Sequence, residues 1–320
     1  MSKGPERRRM ADLAVLILTR NEEAHIARAL RSVAAIAREV VVVDSGSTDR
    51  TREIAESLGA RVLIHPFVNY AKQFQWGLDN AEFRAGWIMR LDADEVVEAD
   101  LAAEIEQRLP TLPPEVAGVN LKRKHIFMGR WIRHGGRYPL VLLRIWRRGA
   151  GRIEDRWMDE HIVLSSGQTV TFAGGFADIN LNDLTYFVDK HNRYATREAL
   201  DVLGRKLALF DPDALRPAGQ ASWKRLLKEK IYNRLPFGLS TFLYFLYRYL
   251  LRLGFLDGAE GAIYHGLQGG WYRFLVGAKV RELEQCIAPC RSREERLAAL
   301  ARATGYDLGT QVSLGEGTSA

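Results

Sequence analysis

The sequence predicts an α/β fold: a mostly parallel sheet with helices on both faces, followed by a helical C-terminal region. Three observations carry this. Short runs of aliphatic and β-branched residues alternate with segments of helical period through the first hundred positions. Cap-forming Ser, Thr, Asn and Asp residues stand at the junctions. From Leu184 onward helix signals dominate.

The elements follow in order. Leu13–Leu18 is a continuous apolar run, the pattern of a strand buried on both faces. Asn21 and Glu22 then open a helix with Ile26, Leu30 and Val33 at helical spacing. Val40–Val43 is a second strand that ends at Asp44. Ser47, Thr48 and Asp49 offer capping oxygens to a helix that runs through Leu58 and stops at Gly59. Arg61–Ile64 is a third strand, 70–84 a third helix and Trp87–Leu91 a fourth strand. Leu101–Leu109 is a helix closed by Pro110. Val116–Lys124 and Pro139–Trp146 are strands on either side of a Gly- and Arg-rich connection, and 151–162 is a polar loop with an acidic cluster. We therefore expect a basic tail over 1–10, an α/β domain over 11–180, a helical region over 181–305 and a flexible tail over 306–320.

Composition narrows the function. Hydrophobic residues at 47% and charged residues at 27% describe a globular chain, not a disordered one. The net charge of +7 is localised: residues 122–156 hold eleven basic side chains against Glu154 and Asp155. A second excess over 223–256 sets seven basic residues against Glu229. With no RNA-binding module in the sequence, nucleic acid is not the expected partner. Only Cys286 and Cys290 are present, with Pro289 between them, which fits free thiols in a reducing compartment rather than a disulfide or zinc scaffold. Arg7, Arg8 and Arg9 precede the apolar run 14–18, but that run is too short for a signal peptide. No run of 18 apolar residues occurs, so no spanning helix is expected.

Ligands of open α/β sheets bind at the carboxyl ends of the strands. Three polar clusters are expected there: Thr19 to Glu23, Asp44 to Asp49, and Asp92 to Glu95. In an extended segment residues two apart point to one side, so Asp92 and Asp94 would aim both carboxylates at one site. Hard oxygen donors suit Mg²⁺ or Mn²⁺, with substrate phosphates completing the shell. Neither G-x-G-x-x-G nor G-x-x-x-x-G-K-[ST] occurs in the first hundred residues. A glycine-rich phosphate loop is thereby excluded, and a metal-bridged diphosphate is the remaining option.

Val15-Leu-Ile-Leu-Thr-Arg-Asn-Glu-Glu23, Val41-Val-Val-Asp-Ser-Gly-Ser-Thr-Asp-Arg-Thr51 and Leu91-Asp-Ala-Asp-Glu95 resemble, in that order, the family 2 glycosyltransferases of GT-A fold. Phe127-Met-Gly-Arg130, Leu143-Arg-Ile-Trp146 and Arg248 with Gly254-Phe-Leu-Asp-Gly258 are similar to the branch that includes lipopolysaccharide-core glucosyltransferases. The resemblance implies the nucleotide-diphospho-sugar transferase fold and an inverting transfer from a nucleotide-diphosphate sugar, most often a UDP-sugar. By position, it implies that Thr19, Asn21 and Glu22 line the nucleoside pocket. Asp44 would accept a hydrogen bond from the base, with Ser45 nearby. Asp92 would lie by the ribose and the metal, and Asp94 would ligate the metal.

Inversion needs a general base on the acceptor side and no covalent nucleophile. The candidates are Asp159 and Glu160 within Met158-Asp-Glu-His161, with Asp159 preferred on motif position. His161 either reaches the metal or diphosphate or orients the carboxylates. Lys72 either neutralises a phosphate or is a solvated helix residue, and Arg144 is expected to contact the diphosphate or a charged acceptor. The aromatic, basic stretch 223–256 fits either an anionic membrane surface or a buried hairpin. The expectation is a metal-dependent enzyme, peripheral on the cytoplasmic face of the membrane, acting on a lipid-linked or cell-surface glycan in lipopolysaccharide-core or polysaccharide biosynthesis. A non-catalytic nucleotide-sugar-binding scaffold and a nucleotidyltransferase are the alternatives.

Overall fold

The computed structural model describes residues 11–154, 160–207, 209, 236–306 and 308. They fall into two compact units, divided after Leu181. Asp159, the N-terminal tail and the basic residues Lys224, Arg225, Lys228, Lys230 and Arg234 lie outside the described residues.

The first unit is built on one sheet. Its strands are β1 (Leu13–Thr19), β2 (Glu39–Asp44), β3 (Arg61–Ile64), β4 (Trp87–Arg90), β5 (Glu95–Val97), β6 (Val116–Phe127), β7 (Arg130–Trp131), β8 (Leu140–Arg147) and β11 (Gln168–Ile179). The order is β3-β2-β1-β4-β8-β6-β11-β5, with β7 paired to β6. The strands β3, β2, β1 and β4 are parallel, as the alternation predicts. Beyond β4 the sheet is mixed: β8 runs antiparallel to both β4 and β6, and β11 runs parallel to β6.

The continuous apolar run of β1 follows from its place between two parallel neighbours. Leu13, Val15 and Ile17 pack on one face with Ile26, Ala29, Leu30 and Val33 of helix α1 (Ile26–Val33) and with Leu101 and Ile105 of α4 (Ala99–Arg108). Ala14 and Leu16 pack on the other with Ala71 and Phe74 of α3 (Tyr70–Asn80). Period-2 alternation thus feeds two cores, and helix α2 (Thr51–Ser57) adds Ala55 to the first.

Several boundaries differ from the sequence expectation. Helix α1 starts at Ile26, because Asn21 adopts φ +56 and the backbone amides of Asn21, Glu22 and Glu23 bond to the loop after β2. Helix α3 stops at Asn80 rather than 84, with Glu82 at φ +47. Residues 151–153 and 162–164 pair as a small antiparallel hairpin, β9 and β10, inside the segment expected to be loop. The twelve-residue strand β11 escapes the sequence because polar and small residues fill it. Its Gly174 lies so close to α4 that a Cβ would meet the Leu101 backbone at 2.6 Å. Small residues there carry no β-pattern, yet they let helix and strand touch.

The second unit is helical among its described residues. It comprises α5 (Leu184–Lys206), α6 (Phe237–Leu246), α7 (Gly258–His265), α8 (Tyr272–Ile287) and α9 (Arg293–Thr304). Asp183 caps α5 through the Tyr186 amide, and Ser292 with Glu295 forms a capping box on α9. Leu200, Leu203, Leu283, Ile287 and Leu300 make its core. No residue of α6 is buried. Among the described residues no helix is long and apolar enough to cross a membrane. Cys286 and Cys290 are free thiols.

Candidate functional site

Parallel pairing in register sets the ends of β1 and β2 side by side, Thr19 opposite Asp44. The Asp44 carboxylate is 0% exposed. Its Oδ1 accepts from the backbone amides of Gly46 at 3.0 Å and Ser47 at 2.8 Å. Its Oδ2 accepts from the hydroxyls of Thr19 at 2.9 Å and Ser47 at 2.5 Å. Asp44 therefore frames the loop, and its oxygens are committed to protein donors rather than offered to a base. Thr19 is likewise buried in that bond.

The same loop is sewn to the one after β1. The Asn21 amide donates to Ser47 Oγ and the Asn21 Oδ1 accepts from the Thr48 amide, each at 2.8 Å. Glu22 donates its amide to Thr51 Oγ1 and places its carboxylate 2.7 Å from His25 Nδ1. Asp49 is held below the usual carboxylate range: burial opposes this, but the Thr51 hydroxyl and the amides of Thr51 and Glu23 outweigh it. Ser45 Oγ accepts from the buried Gln73 side chain of α3 at 3.0 Å, and Gln73 also bonds His65 beyond β3.

The third cluster follows β4, the neighbour of β1 on its other side. Here the chain is a turn, not the extended segment expected: the Glu95 amide donates to the Asp92 carbonyl at 3.0 Å. The argument that alternate residues point one way does not apply, and the two carboxylates meet different partners. Asp92, 27% exposed, takes the Tyr70 hydroxyl at 2.6 Å and Arg90 Nε at 3.3 Å on Oδ1, with Arg144 Nη2 3.6 Å from Oδ2. Burial works against its charge, yet Arg90 and Arg144 hold its carboxyl well below the usual range. Asp94 Oδ2 accepts from Asn180 Nδ2 at 3.1 Å, and the Ile179 amide donates to the Asp94 carbonyl at 2.9 Å.

Arg144 is only 4% exposed, with Nη2 on Glu95 Oε1 at 2.7 Å. It braces the turn from below rather than standing out from it. Its Nη1 is buried with no hydrogen-bond partner among the described residues. Glu95 is 1% exposed, and burial with the neighbouring Asp92 charge pushes its carboxyl up against the pull of Arg144 and Arg123.

The remaining expected residues are placed as follows. Lys72 is an exposed residue of α3, whose amide is capped by Asn69. The Glu160 carbonyl accepts from Arg90 Nη1 at 3.3 Å, which links the candidate base loop to the Asp92 turn. His161 is 56% exposed and lies 3.7 Å from Glu154. Sequence reasoning placed Glu95 in the third polar cluster without a role of its own, and missed Tyr70, Arg90 and Asn180 as parts of this site. Glu95 adjoins the Asp pair and was the one with a local signal. The others come from the start of α3, the last position of β4 and the residue after β11, and reach it only through folding.

The donor chemistry fits a hard divalent cation. Asp92 is kept anionic and Asp94 offers a second carboxylate on the same turn, while the unpartnered buried Arg144 Nη1 is a donor suited to a phosphate oxygen rather than to the cation. Among the described residues no three His, Cys, Asp or Glu side chains gather to hold a metal. Oxygens of a bound phosphate would have to complete the shell, as Mg²⁺ sites commonly require.

Comparison with known proteins bears on the same segments. Residues 14–174, half of the chain, match the model of the glycosyl transferase family 2. An uncharacterized glycosyltransferase of Rickettsia bellii is 46% identical over 94 residues, 29% of this chain and 31% of its own. The match thus spans under a third of that relative's length. The lipopolysaccharide core biosynthesis glycosyltransferase LpsC of Rhizobium meliloti is 28% identical over 193 residues, 58% of this chain and 70% of its own. A crystal structure of glucosyl-3-phosphoglycerate synthase from Mycobacterium tuberculosis with Mn²⁺, UDP and product aligns at TM-score 0.29 and 22% identity, covering 35% of this chain and 43% of its own. A likeness of that extent carries no argument about ligands.

Proposed function

Because the chain belongs to glycosyl transferase family 2, we propose that it moves a sugar from a nucleotide-diphosphate donor, a UDP-sugar by resemblance, to a lipopolysaccharide-core-type glycan acceptor. One observation supports this above the others. Three loops from the carboxyl ends of adjacent parallel strands converge, and the third presents an Asp pair with one carboxylate held ionised by arginines. LpsC, similar over more than half of this chain, supports the acceptor class.

In this reading Thr19, Asn21, Glu22 and Ser45 shape the nucleoside pocket. Asp44 keeps that pocket rigid from within. Asp92 and Asp94 would hold Mg²⁺ or Mn²⁺ together with donor diphosphate oxygens, and the ion would neutralise charge on the leaving group. Asp159 or Glu160 accepts the proton of the acceptor hydroxyl as its oxygen bonds the anomeric carbon and the bond to the diphosphate breaks. A single displacement of this kind inverts the anomeric centre. Arg90 ties the Glu160 backbone to the Asp92 turn, which keeps acceptor and donor machinery in step.

We extend the proposal to a lipid-linked acceptor met at an anionic membrane surface. Support comes from the second unit, where Phe242, Leu243, Leu250, Leu251, Leu253 and Phe255 are exposed and Arg252 lies among them.

The test is a calorimetric donor screen across UDP-, GDP- and dTDP-sugars with and without Mn²⁺. One donor class should bind with Mn²⁺ dependence, and Asp94→Ala should abolish that dependence while the fold survives. Unchanged affinity and Mn²⁺ dependence in Asp94→Ala would overturn the metal assignment. For the base, Asp159→Asn should bind donor normally yet slow transfer by about 10²–10⁴-fold, with Glu160→Gln milder. The reverse order would exchange the two roles.

A further inference from the structure

The turn that carries both aspartates is short, and in the proposed function its two carboxylates, which meet different partners in the protein, must share one ligand. Like charges on neighbouring residues repel, and nothing in the sequence Asp-Ala-Asp favours one turn geometry. Glu95 supplies the missing constraint. It sits at the start of β5, anchored by antiparallel pairing of Glu95 with Asp178 on β11. Its side chain turns back over the preceding residues. Oε2 accepts the backbone amide of Asp92 at 2.9 Å, and Oε1 accepts Arg144 Nη2 at 2.7 Å. The same Nη2 lies 3.6 Å from Asp92 Oδ2. One carboxylate thus holds the first aspartate's backbone and the arginine that faces its carboxylate. Glu95 is 1% exposed, so it has no access to a ligand itself.

We propose that Glu95 is a positioning residue for the Asp92–Asp94 turn, closing it through the Asp92 amide and through Arg144 so that both carboxylates meet one cation and its phosphate ligand. This rests on the nucleotide-sugar reading for its ligand but on this chain's own geometry for the constraint. Serving both donors requires an acceptor oxygen on each side of the side chain. A glutamine in its place has one acceptor oxygen and an amide nitrogen, and the nitrogen would face either the Asp92 N–H or the Arg144 guanidinium, both of which are donors. Residues that orient the ligands of a metal typically matter by about 10–100-fold in metal affinity.

Glu95→Gln is tested in the full-length chain by two measurements. The first is hydrogen exchange at the Asp92 amide without any ligand. Protection at that amide should fall by about tenfold or more, while the β1 and β2 amides keep theirs. The second is UDP affinity with and without Mn²⁺. The ratio of the two should fall by about tenfold, with UDP binding in the absence of Mn²⁺ unchanged. A residue that merely stabilised the unit would not move that ratio. Arg144→Met should lower the ratio too, and the double variant should be no worse than the more severe single one, since both act on one turn. Unchanged Asp92 exchange overturns the positioning role whatever the ligand. Altered exchange with an unaltered Mn²⁺ ratio overturns its bearing on the cation. Failure of the unsubstituted protein to bind UDP or Mn²⁺ instead rejects the functional reading and leaves the exchange result to decide the geometry.

Discussion

Asp44 offers a sharp test of what a strand-end aspartate does. Its two oxygens receive four donors from within the protein, and the two sets differ in kind. The Gly46 and Ser47 amides are fixed by the backbone, whereas the Thr19 and Ser47 hydroxyls can rotate. Asp44→Ala strands both amides without acceptors, at about 1–3 kcal/mol each when water cannot replace the carboxylate. Ser47 is buried and Gly46 is exposed, so the expected total is about 3 kcal/mol. Asp44→Asn behaves differently. The amide oxygen takes the position of Oδ1 and keeps both backbone bonds, the nitrogen replaces Oδ2, and the hydroxyls turn to accept from it. Only the charge-assisted part of the bonding is lost, about 1–2 kcal/mol. Hydrogen exchange at the innermost β1 and β2 amides reports the opening free energy of this unit without assuming that the whole chain unfolds at once. If Asp44→Ala costs no more than Asp44→Asn, the amides do not depend on the carboxylate and the framing role is wrong. The two variants also bear on binding. With no exposed Asp44 oxygen, Asp44→Asn should leave the order of preference among uridine, guanosine and thymidine diphosphates as it was. A changed order would show that the carboxylate reaches the base after all.

Other outcomes follow from single contacts. Gly174→Ala should lower the melting temperature of the α/β unit, because its Cβ would stand 2.6 Å from the Leu101 backbone and β11 must shift to admit it. Overpacking of this kind costs about 1–3 kcal/mol, and an unchanged melt would mean that α4 and β11 are not in contact there. Glu104 accepts the Gly174 amide at 2.8 Å and pairs with Arg108. Burial raises its carboxyl, but the Gly174 and Ala173 amides and Arg108 carry it below the ordinary glutamate range. A depressed carboxyl contributes stability above its unfolded value that disappears as pH falls through the folded one. Glu104→Gln should therefore flatten the loss of stability below about pH 4.5 in urea titrations, with little change in slope near neutrality. In the second unit, Leu250→Ser with Leu251→Ser should weaken sedimentation with vesicles containing phosphatidylglycerol, by about 1 kcal/mol per side chain removed from the lipid boundary. Binding indifferent to both substitutions would reject the membrane surface.

Much of the first unit was legible from local signals. The runs 13–18, 40–43 and 87–91 are strands because only a residue buried on both faces tolerates unbroken apolar sequence, and the structure places them next to one another in a parallel sheet. The polar clusters that follow them had to lie at one edge of the sheet once those strands were parallel. What the sequence could not disclose is how those clusters divide their work. Asp44 and Asp92 read alike as aspartates at strand ends. The structure buries the first among four neutral hydrogen-bond donors, with Arg52 Nε no closer than 4.0 Å, and sets Arg90 and Arg144 against the second at 3.3 and 3.6 Å. The difference comes from β8, which enters the sheet antiparallel to β4 and brings Arg144 under the turn from 52 residues away in sequence.

The sequence by itself determined the alternation, the parallel half of the sheet, the convergence of three polar loops and the family. Each of these is written in residues close to one another, where apolar period and capping chemistry act over a few positions. Tertiary structure alone decided that Asn21 leaves the helix to stitch two loops, that β11 lies beside α4 through Gly174, and that Tyr70, Arg90, Glu95, Arg144 and Asn180 gather on the Asp92–Asp94 turn. Those outcomes depend on buried polar groups finding partners across the sheet. A charge or amide withdrawn from water must be satisfied by whatever the fold brings within about 3 Å, and no local pattern records which residue that will be.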